Sequence, residues 1–261
     1  MNITLGADPE LFLTQYGKYK SAVGLTGGGS KWSPIPIDEY GNAILEDNVA
    51  IEFNIQPSDT VETFEFNIKK VLRFIKDKLP TFEFSMESAV SFPAEELETP
   101  EAMLFGCEPD FNAWTEKINR KPRASDKNLR SAGGHIHIGC ETAQEKPINT
   151  IRAMDLFLGV PSVCMDDNPK RRELYGKAGA YRPKPYGVEY RTLSNFWIFE
   201  SKLIHWVYNQ TKKAIEFTRS GSVILPEDHD NIINCINKSN HDLSLYLTEK
   251  YNVHTDKYSL V

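Results

Sequence analysis

Residues 133–139 of this 261-residue chain read GGHIHIG, two histidines that alternate with two isoleucines between flanking glycines. Alternation with a period of two is typical of a β-strand, in which successive side chains point to opposite faces. His135 and His137 therefore share one face, and Ile136 and Ile138 share the other. The strand must have an apolar side and a side whose imidazoles can bind metal or transfer protons. The simpler interpretation, histidines that only hydrogen-bond to their neighbours, stays open at this point.

Three other stretches, residues 5–13, 49–56 and 188–193, repeat this alternation with ionisable or amide side chains on the polar face. Those side chains are Asp8, Glu10, Glu52, Asn54, Glu189 and Arg191. Pro9 cannot donate a hydrogen bond to a sheet, so it predicts a bulge, a sheet edge or the first residue of a strand. Each stretch alone also fits a solvated strand, but the four together predict a shared site.

Helical periodicity occupies much of the remaining chain. Residues 58–79 predict a long helix capped by Ser58 or Asp59 and ended by Pro80. Residues 147–158 predict a second helix, which Gly159 and Pro161 interrupt. From Asn195 onward the pattern is mostly helical, and residues 81–92 predict one more strand.

Length and composition limit the class of protein. With 40% hydrophobic residues the chain fits one large domain or two small ones, and we expect a single domain over residues 1–261. A net charge of −6 argues against nonspecific binding to nucleic acid. No segment reaches the roughly 18 apolar residues of a membrane helix, and residues 1–5 do not begin a signal peptide, so we expect a cytoplasmic protein. Four cysteines without a Cys-x-x-Cys pair predict free thiols.

Two glycine-rich or basic stretches have alternative interpretations. Residues 24–31 (GLTGGGSK) predict a mobile loop whose amides can cradle an anion, or a plain linker, because the P-loop spacing is not met. Residues 93–132 predict either a solvated face or a lid that brings cations to a phosphate-rich pocket. The basic side chains of this second stretch are Lys117, Arg120, Lys121, Arg123, Lys127 and Arg130.

The collected polar faces favour a particular chemistry. Four carboxylates with one or two imidazoles suit hard divalent cations such as Mg²⁺ or Mn²⁺ better than a lone zinc ion. Several such cations in one site are useful when the ligand is a polyphosphate, because metals and arginines together neutralise the charge of the transferred group.

Four motifs in a fixed order, GADPE (6–10), IEFN (51–54), GHIH (134–137) and GVEYR (187–191), give the chain a family resemblance. Over about residues 5–195 it resembles the phage-encoded carboxylate-amine ligases of type two, in the glutamine synthetase and γ-glutamylcysteine ligase superfamily. This resemblance implies an α+β fold in which an antiparallel sheet curves into a funnel and helices pack on its outer face. It also implies that metals and ATP bind on the concave face.

Carried over motif by motif, the resemblance implies a set of site residues. The implied metal ligands are Asp8, Glu10, Glu52, His135 and Glu189. The implied phosphate and nucleotide contacts are Lys31, Arg172, Arg182 and Arg191, with Arg182, Glu189 and Arg191 as the catalytic group. His137 is the alternative metal ligand. Otherwise His137, like Asn54, contacts substrate or supports a metal ligand. The second acid in the region around Glu52 is either Glu46 or Asp47, so the number of metal ions stays open.

The expected activity is therefore an ATP- and Mg²⁺-dependent (or Mn²⁺-dependent) carboxylate-amine ligase. It would form an amide or peptide bond through an acyl phosphate and release ADP and phosphate. The expected partners are a small-molecule or peptide carboxylate and an amine, with neither nucleic acid nor membrane, in the host cytoplasm if the chain is phage-encoded. Two rivals remain: a zinc hydrolase that uses His135 and His137, and a non-catalytic phage accessory protein with the same fold.

Overall fold

The computed structural model describes residues 3–103, 110–120, 126–166 and 168–253. Two of the basic residues named above, Lys121 and Arg123, lie outside these ranges. The strands are β1 Thr4–Ala7, β2 Glu10–Gln15, β3 Lys18–Lys20, β4 Ile35–Pro36, β5 Ala43–Asp47, β6 Ala50–Asn54, β7 Glu83–Ser85, β8 Ala89–Ser91, β9 Phe111–Asn112, β10 Lys117–Ile118, β11 Leu129–Ser131, β12 Ile136–Gly139, β13 Ala180–Lys184 and β14 Gly187–Tyr190. The α-helices are α1 Val61–Lys78, α2 Pro100–Met103, α3 Glu141–Glu145, α4 Pro147–Met154, α5 Val160–Ser162, α6 Arg171–Leu174, α7 Ser201–Arg219, α8 His229–Asn237 and α9 His241–Lys250.

Every strand pair in the described ranges is antiparallel. One six-stranded sheet has the order β1-β12-β14-β13-β9-β10, and a second has the order β3-β2-β6-β5-β4 with β7 also paired to β2. Helices α1 and α4 both pack against α7. The predicted α+β class, with antiparallel sheets and helices, is confirmed.

Residues 4–15 join the two sheets. On one side Asp8 N–H donates to His135 O at 3.4 Å, which continues the pairing of β1 with β12. On the other side Phe53 N–H donates to Pro9 O at 3.0 Å, which continues the pairing of β2 with β6. Pro9 therefore lies between two paired neighbours and not at a sheet edge, and its missing N–H interrupts the strand only locally. The polar faces of both sheets consequently form one surface.

The apolar face of the sheets carries the core. Ile136 and Ile138 are fully buried, as the alternation of the histidine strand predicts, and they belong to one cluster with Ile151 of α4 and Val207 of α7. Phe64 of α1 stacks on Trp197, with ring centroids 5.9 Å apart. The isoleucines thus fix which way the histidines point, because turning the strand over would bury imidazoles in this cluster.

Two predicted helices differ from the observed ones at their ends. Helix α1 begins at Val61, and its cap is Thr60, whose hydroxyl accepts from Thr63 N–H at 3.2 Å, whereas Ser58 pairs with Leu5. The helix that begins at Pro147 continues through Gly159, because a π-helical turn, Asp155–Gly159, joins α4 to α5. The predicted strand at 81–92 is two short strands, β7 and β8. No helix of the described residues is long and apolar enough to cross a membrane.

Candidate active site

The polar side chains predicted from separate strands lie side by side across the joined sheets. His137 of β12 is directly opposite Glu189 of β14, which in turn is opposite Arg182 of β13. On the other side of the strand at 4–15, Glu10 is opposite Glu52 of β6. Directly opposed residues in antiparallel strands have neighbouring side chains on the same face. Register alone therefore assembles a row of ionisable groups.

Asp8, His137 and Glu189 form a first group that can hold a metal ion, because one ligand atom from each lies within 4.8 Å of the others. Asp8 Oδ1 is 3.0 Å from His137 Nε2 and 3.4 Å from His135 Nδ1. Burial raises the pKa of Asp8, but the charge of His137 and hydrogen bonds from both imidazoles outweigh it and hold that pKa well below its usual range. Asp8 is thus a carboxylate at neutral pH, as a metal ligand must be.

Glu10, Asp47 and Glu52 form a second group, in which one ligand atom from each residue again lies within 4.8 Å of the others. One oxygen of Glu10, Oε2, accepts from Gly133 N–H at 2.7 Å, which fixes that carboxylate. Burial, and next the charge of Asp47, raises the pKa of Glu10 to about 7. Burial together with Asp8, Glu10 and Asp47 raises the pKa of Glu52 well above its usual value. These carboxylates are crowded in a way that a bound cation would relieve.

Asn54 lies beside the first group. The hydrogen bonds that join residues 7–9 to residues 53–55 place it opposite Asp8 on the polar face, two residues beyond Glu52. An amide at this position can hydrogen-bond to a metal-bound carboxylate or to a ligand. The position agrees with both predicted roles for Asn54, support of a metal ligand and contact with substrate.

Three cationic side chains converge on Glu189. Arg191 Nη1 donates to Glu189 Oε1, and Arg182 Nη1 lies 3.6 Å from the same oxygen. Lys184 Nζ is 2.7 Å from Oε2, and Arg191 Nε is 3.6 Å from Asp110 Oδ2. Lys184 and Asp110 were not predicted. Lys184 could have been found because it follows Arg182 by two positions on the same strand face, whereas nothing in the sequence marks Asp110.

The charge on Glu189 is set by opposing influences. Its side chain is fully buried, and burial together with Asp8 raises its pKa. Arg191, His135 and His137 outweigh this and lower the pKa to about 2. Glu189 is therefore ionised, and the cations around it occupy positions where a phosphate would also find positive charge.

His137 of β12 and His135, which directly precedes this strand, have different surroundings. His135 Nδ1 lies 3.4 Å from Asp8 Oδ1 and 3.3 Å from Arg191 Nη1, and burial together with Arg191 lowers its pKa to about 4. His137 belongs to the first metal-binding group, and its Nδ1 is hydrogen-bonded to the hydroxyl of Tyr186. The sequence favoured His135 as the metal ligand, whereas the geometry favours His137. In the part of the chain that is described, no metal-binding group contains both.

The two glycines before the histidines make room for protein rather than for a ligand. A Cβ at Gly133 would lie 2.3 Å from His135 Nε2. A Cβ at Gly134 would lie 2.2 Å from Ser194 O and 2.5 Å from Trp197 Nε1. Since real Cβ atoms do not approach this closely, any larger residue would displace the ring or the backbone beside it.

The loop at residues 24–31 already cradles an anion, and that anion is Glu46. The Glu46 carboxylate accepts from Gly24 N–H and Thr26 N–H at 2.8 Å each, and from the Thr26 hydroxyl at 2.6 Å. Of the two candidate acids, Asp47 therefore belongs to the metal-binding group and Glu46 orders the loop. Burial raises the pKa of Asp47, and the positive charge of exposed Lys31 opposes that rise. The charge of Lys31, on the loop, therefore interacts with the carboxylate of Asp47 in the site.

Of the two adjacent arginines on α6, Arg171 and not the predicted Arg172 lies at the site. Arg172 donates to Ser239 Oγ at 3.1 Å and to Ser162 Oγ at 3.5 Å, which ties it to the helices behind the sheet. Arg171 donates to Thr192 O at 2.9 Å, lines a cavity beside Glu10 and is buried. Neighbouring helical residues point about 100° apart, so only the orientation of α6 separates them.

The cavity has a volume of about 250 Å³ and opens beside the second metal-binding group. This volume is just below the range of about 300–1,000 Å³ that is typical of small-molecule sites. Its ionisable lining includes both acids and cations, which suits a zwitterionic or anionic ligand next to a metal. The lining residues that belong to the site are Glu10, Asp47, His135, Arg171 and Arg191.

Comparison with known proteins relates the chain to solved structures and to one protein family. A crystal structure described as that of a novel glutamine synthase homolog aligns with a TM-score of 0.37 and 13% sequence identity, over 99% of this chain and 69% of that chain. No curated protein matches the sequence. Residues 125–220 match the profile of the family described as phage phiEco32-like COOH.NH2 ligase-type 2. The predicted resemblance to the type-two phage carboxylate-amine ligases is therefore confirmed over the segment that carries His135, His137, Arg182, Glu189 and Arg191.

Proposed function

We propose that this protein is an ATP-dependent carboxylate-amine ligase that makes an amide or peptide bond through an acyl phosphate. The observation that carries the proposal is the polar face itself, where two metal-binding groups adjoin a cluster of three cations. The family match over residues 125–220 supports a carboxylate-amine ligase in particular.

The donor sets fit divalent cations. Oxygen ligands on opposite sides of one Mg²⁺ or Ca²⁺ ion are about 4–5 Å apart, because each bond is about 2.0–2.6 Å long. The ligand atoms of each group lie within 4.8 Å of one another, which is close enough for them to share one ion. Asp8, His137 and Glu189 would hold one ion, and Glu10, Asp47 and Glu52 the other. When bound, Mg²⁺ or Mn²⁺ supplies charge neutralisation for phosphate oxygens that arginine alone cannot provide.

The proposed reaction has two steps. A substrate carboxylate oxygen bonds to the γ-phosphorus of ATP while the bond from that phosphorus to the β,γ-bridging oxygen breaks, which releases ADP. An amine then attacks the acyl carbon, phosphate leaves, and the nitrogen loses a proton to give the amide. Both steps develop or move negative charge on phosphoryl oxygens, so preorganised positive groups stabilise them.

The side chains of this chain have distinct parts in that reaction. Arg191, Arg182 and Lys184 hold the transferred phosphoryl group. Arg171 and the cavity beside it orient the carboxylate substrate. Arg191 and Glu189 are buried, at 4% and 0% exposure, so water screens their charges little. The proposed reaction also requires that bound substrates exclude water from the acyl phosphate, which water would hydrolyse.

An ATP-consumption assay tests the proposal. ADP should appear only with Mg²⁺ or Mn²⁺ and with both a carboxylate and an amine from a panel of amino acids and peptides. Glu189→Gln should abolish turnover, whereas Glu96→Gln, which breaks a remote pair with Lys20, should not. ATP-independent hydrolysis with bound zinc would establish the hydrolase instead. Equal nucleotide binding and hydrolysis by wild type and Glu189→Gln would favour the non-catalytic protein.

A further inference from the structure

Asp155 is a fully buried carboxylate that lies behind the sheet, outside the site described above. Its Oδ1 accepts from the Tyr190 hydroxyl at 2.8 Å and from the Thr192 hydroxyl at 3.1 Å. Its Oδ2 accepts from Trp114 Nε1–H at 2.7 Å and from Gly179 N–H at 2.6 Å. All four donors are uncharged groups.

These four donors surround Arg191 from behind. Tyr190 and Thr192 are its neighbours in sequence, so by strand alternation they point to the rear while Arg191 points to the front. Gly179 precedes Ala180, whose carbonyl accepts from Arg191 N–H at 2.9 Å. One carboxylate thus fixes the chain on both sides of Arg191, at the end of β14, and the residue that precedes β13, the strand paired with it.

The fourth donor extends this contact to a third segment. Trp114 lies in the turn between β9 and β10, and Ala113 N–H donates to Gly179 O at 2.9 Å. The same hairpin begins beside Asp110, whose Oδ2 is 3.6 Å from Arg191 Nε. The segments that contact Arg191 on the front face are therefore tied together at one point on the rear face.

The helix that carries Asp155 is locally shaped for this contact. Asp155 begins the π-helical turn, in which Val160 N–H donates to Asp155 O. A Cβ on Gly159 in the same turn would lie 2.8 Å from the Tyr190 hydroxyl oxygen. Turns of this kind are rare and occur often at functional sites. Here the turn places the carboxylate and leaves space for the tyrosine.

A carboxylate in this position is costly for folding. Burial without a cationic partner raises the pKa of Asp155 to about 6, although four hydrogen bonds lower it. Well-packed apolar groups at such positions are often no less stable than buried charge. The stability that buried Asp155 costs is explained if the strand geometry it imposes is needed for function.

We propose that Asp155 is a positioning residue for Arg191, and that it sets the arginine from the rear of the sheet through Tyr190, Thr192 and Gly179. The inference rests on the proposed function, since Arg191 matters here as the group that holds the transferred phosphoryl. Asp155 itself touches neither substrate nor nucleotide. Its loss should lower the rate of the chemical step more than it weakens ATP binding.

The test compares Asp155→Asn with Asp228→Asn. Both aspartates are fully buried, but the partners of Asp228 are Lys250, Tyr251 and Asn231, none of which is a donor to Asp155 or a residue of the site. Asp155→Asn replaces one accepting oxygen with an NH₂ donor, so either the two N–H groups lose their acceptor or the two hydroxyls must rotate to accept. We expect this variant to lower kcat by roughly tenfold or more, with KM for ATP changed less than about threefold. Asp228→Asn should lower the thermal midpoint while leaving kcat of the folded protein unchanged. An equal fall in kcat for both variants, or none for Asp155→Asn, would overturn the proposal.

Milder variants and an activity-independent measurement complete the experiment. Thr192→Val and Tyr190→Phe each remove one donor, so each should give a smaller fall in kcat in the same direction. Amide hydrogen exchange of residues 179–192 should quicken in Asp155→Asn and not in Asp228→Asn. If wild type shows no ATP turnover, the proposed function fails, and the exchange result alone decides whether Asp155 holds these strands. Unchanged exchange there would contradict the proposal.

Discussion

At the scale of single residues, the site takes one member from each of two pairs of adjacent residues, because only that member faces it. Asp47 joins the metal-binding carboxylates while Glu46 orders the glycine-rich loop, and Arg171 lines the cavity while Arg172 binds serines behind the sheet. In each pair the two residues have similar chemistry. Their functions are separated only by the direction in which the backbone points them.

The second metal-binding group should make stability depend on divalent cations. An ion bound at 100 times its dissociation constant adds about 2.7 kcal/mol, which corresponds to a rise of roughly 5–10 °C in the thermal midpoint. Glu52→Gln should stabilise the metal-free protein, because it removes repulsion from Glu10 and Asp47, and should at least halve the shift that Mg²⁺ or Mn²⁺ produces. Differential scanning fluorimetry with and without EDTA measures both effects. An undiminished shift in Glu52→Gln would mean that the ion binds elsewhere.

Adjacent arginines allow a matched comparison of the cavity. Arg171→Met should raise KM for the carboxylate substrate by about tenfold, which is the loss of one charge-assisted hydrogen bond in a buried site. Arg172→Met should lower the thermal midpoint but leave that KM unchanged, because its guanidinium contacts Ser239 and Ser162. Steady-state kinetics at saturating ATP distinguishes the two. Identical KM values for both variants would remove Arg171 from the site.

Gly134 should tolerate no side chain. Gly134→Ala places a methyl group 2.2 Å from Ser194 O, and the backbone shift this requires should cost about 1–3 kcal/mol of unfolding free energy or more. The control is Gly6→Ala on the neighbouring strand, where the nearest atoms are 3.5 Å and 3.6 Å away. That variant should remain within about 1 kcal/mol of wild type. Urea denaturation measures both, and equal stability of the two variants would show that the sheet relaxes around Gly134.

At the scale of elements, the alternation of polar and apolar residues predicted the strands better than helical periodicity predicted the ends of the helices. The four polar stretches form strands as predicted, because buried apolar residues on one face leave no choice for their neighbours, although residues 5–13 form two strands, β1 and β2, on either side of Pro9. The end of α1 was placed within a few residues, but its cap was not, because Ser58, Asp59 and Thr60 are all acceptable capping residues. The π-helical turn and the role of Asp155 could not be predicted, since an isolated aspartate within an apolar helix has no pattern.

The packing of α1 against α7 should depend on pH through Glu65. Hydrogen bonds from Lys69, Ser201 and His205 lower the pKa of Glu65 to about 2. A carboxyl group whose pKa is lowered by folding stabilises the protein above its unfolded pKa of about 4.5 and loses that contribution as the pH falls toward 2. Glu65→Gln should therefore cost about 1 kcal/mol or less at pH 7, given solvent screening, and nothing at pH 2. Denaturation curves across this range would contradict the assignment if the difference were independent of pH.

At the scale of the whole molecule, one shared strand makes both sheets parts of one structure. Residues 4–15 hydrogen-bond to β12 on one side and to β6 on the other, so neither sheet keeps its polar face if the other unfolds. The approximate position of the site could be predicted from motif order and alternation. The register that brings Glu10 beside Glu52 could not, because it depends on pairing between distant segments.

Thermal unfolding of the two sheets should be a single event. Ile138→Ala removes a fully buried side chain from the cluster shared by strands and helices, and large-to-small changes of this kind cost about 2–5 kcal/mol. Far-UV circular dichroism and tryptophan fluorescence should give coincident transitions in wild type, and both should move together in Ile138→Ala. Separate transitions would indicate that the sheets unfold independently.

The strand at residues 4–15 also constrains how the protein folds during synthesis. Its Glu10 carboxylate accepts from a backbone amide 123 residues further along the chain, and His135, His137 and Glu189, the partners of Asp8, are made later still. Contacts between such distant segments form slowly, because the intervening chain must first be ordered. Glu189 and the two histidines therefore join the acidic groups of residues 8–52 among the last events of folding. Until then a nascent chain exposes the apolar side of this strand, and it is in this interval that aggregation competes most strongly with folding.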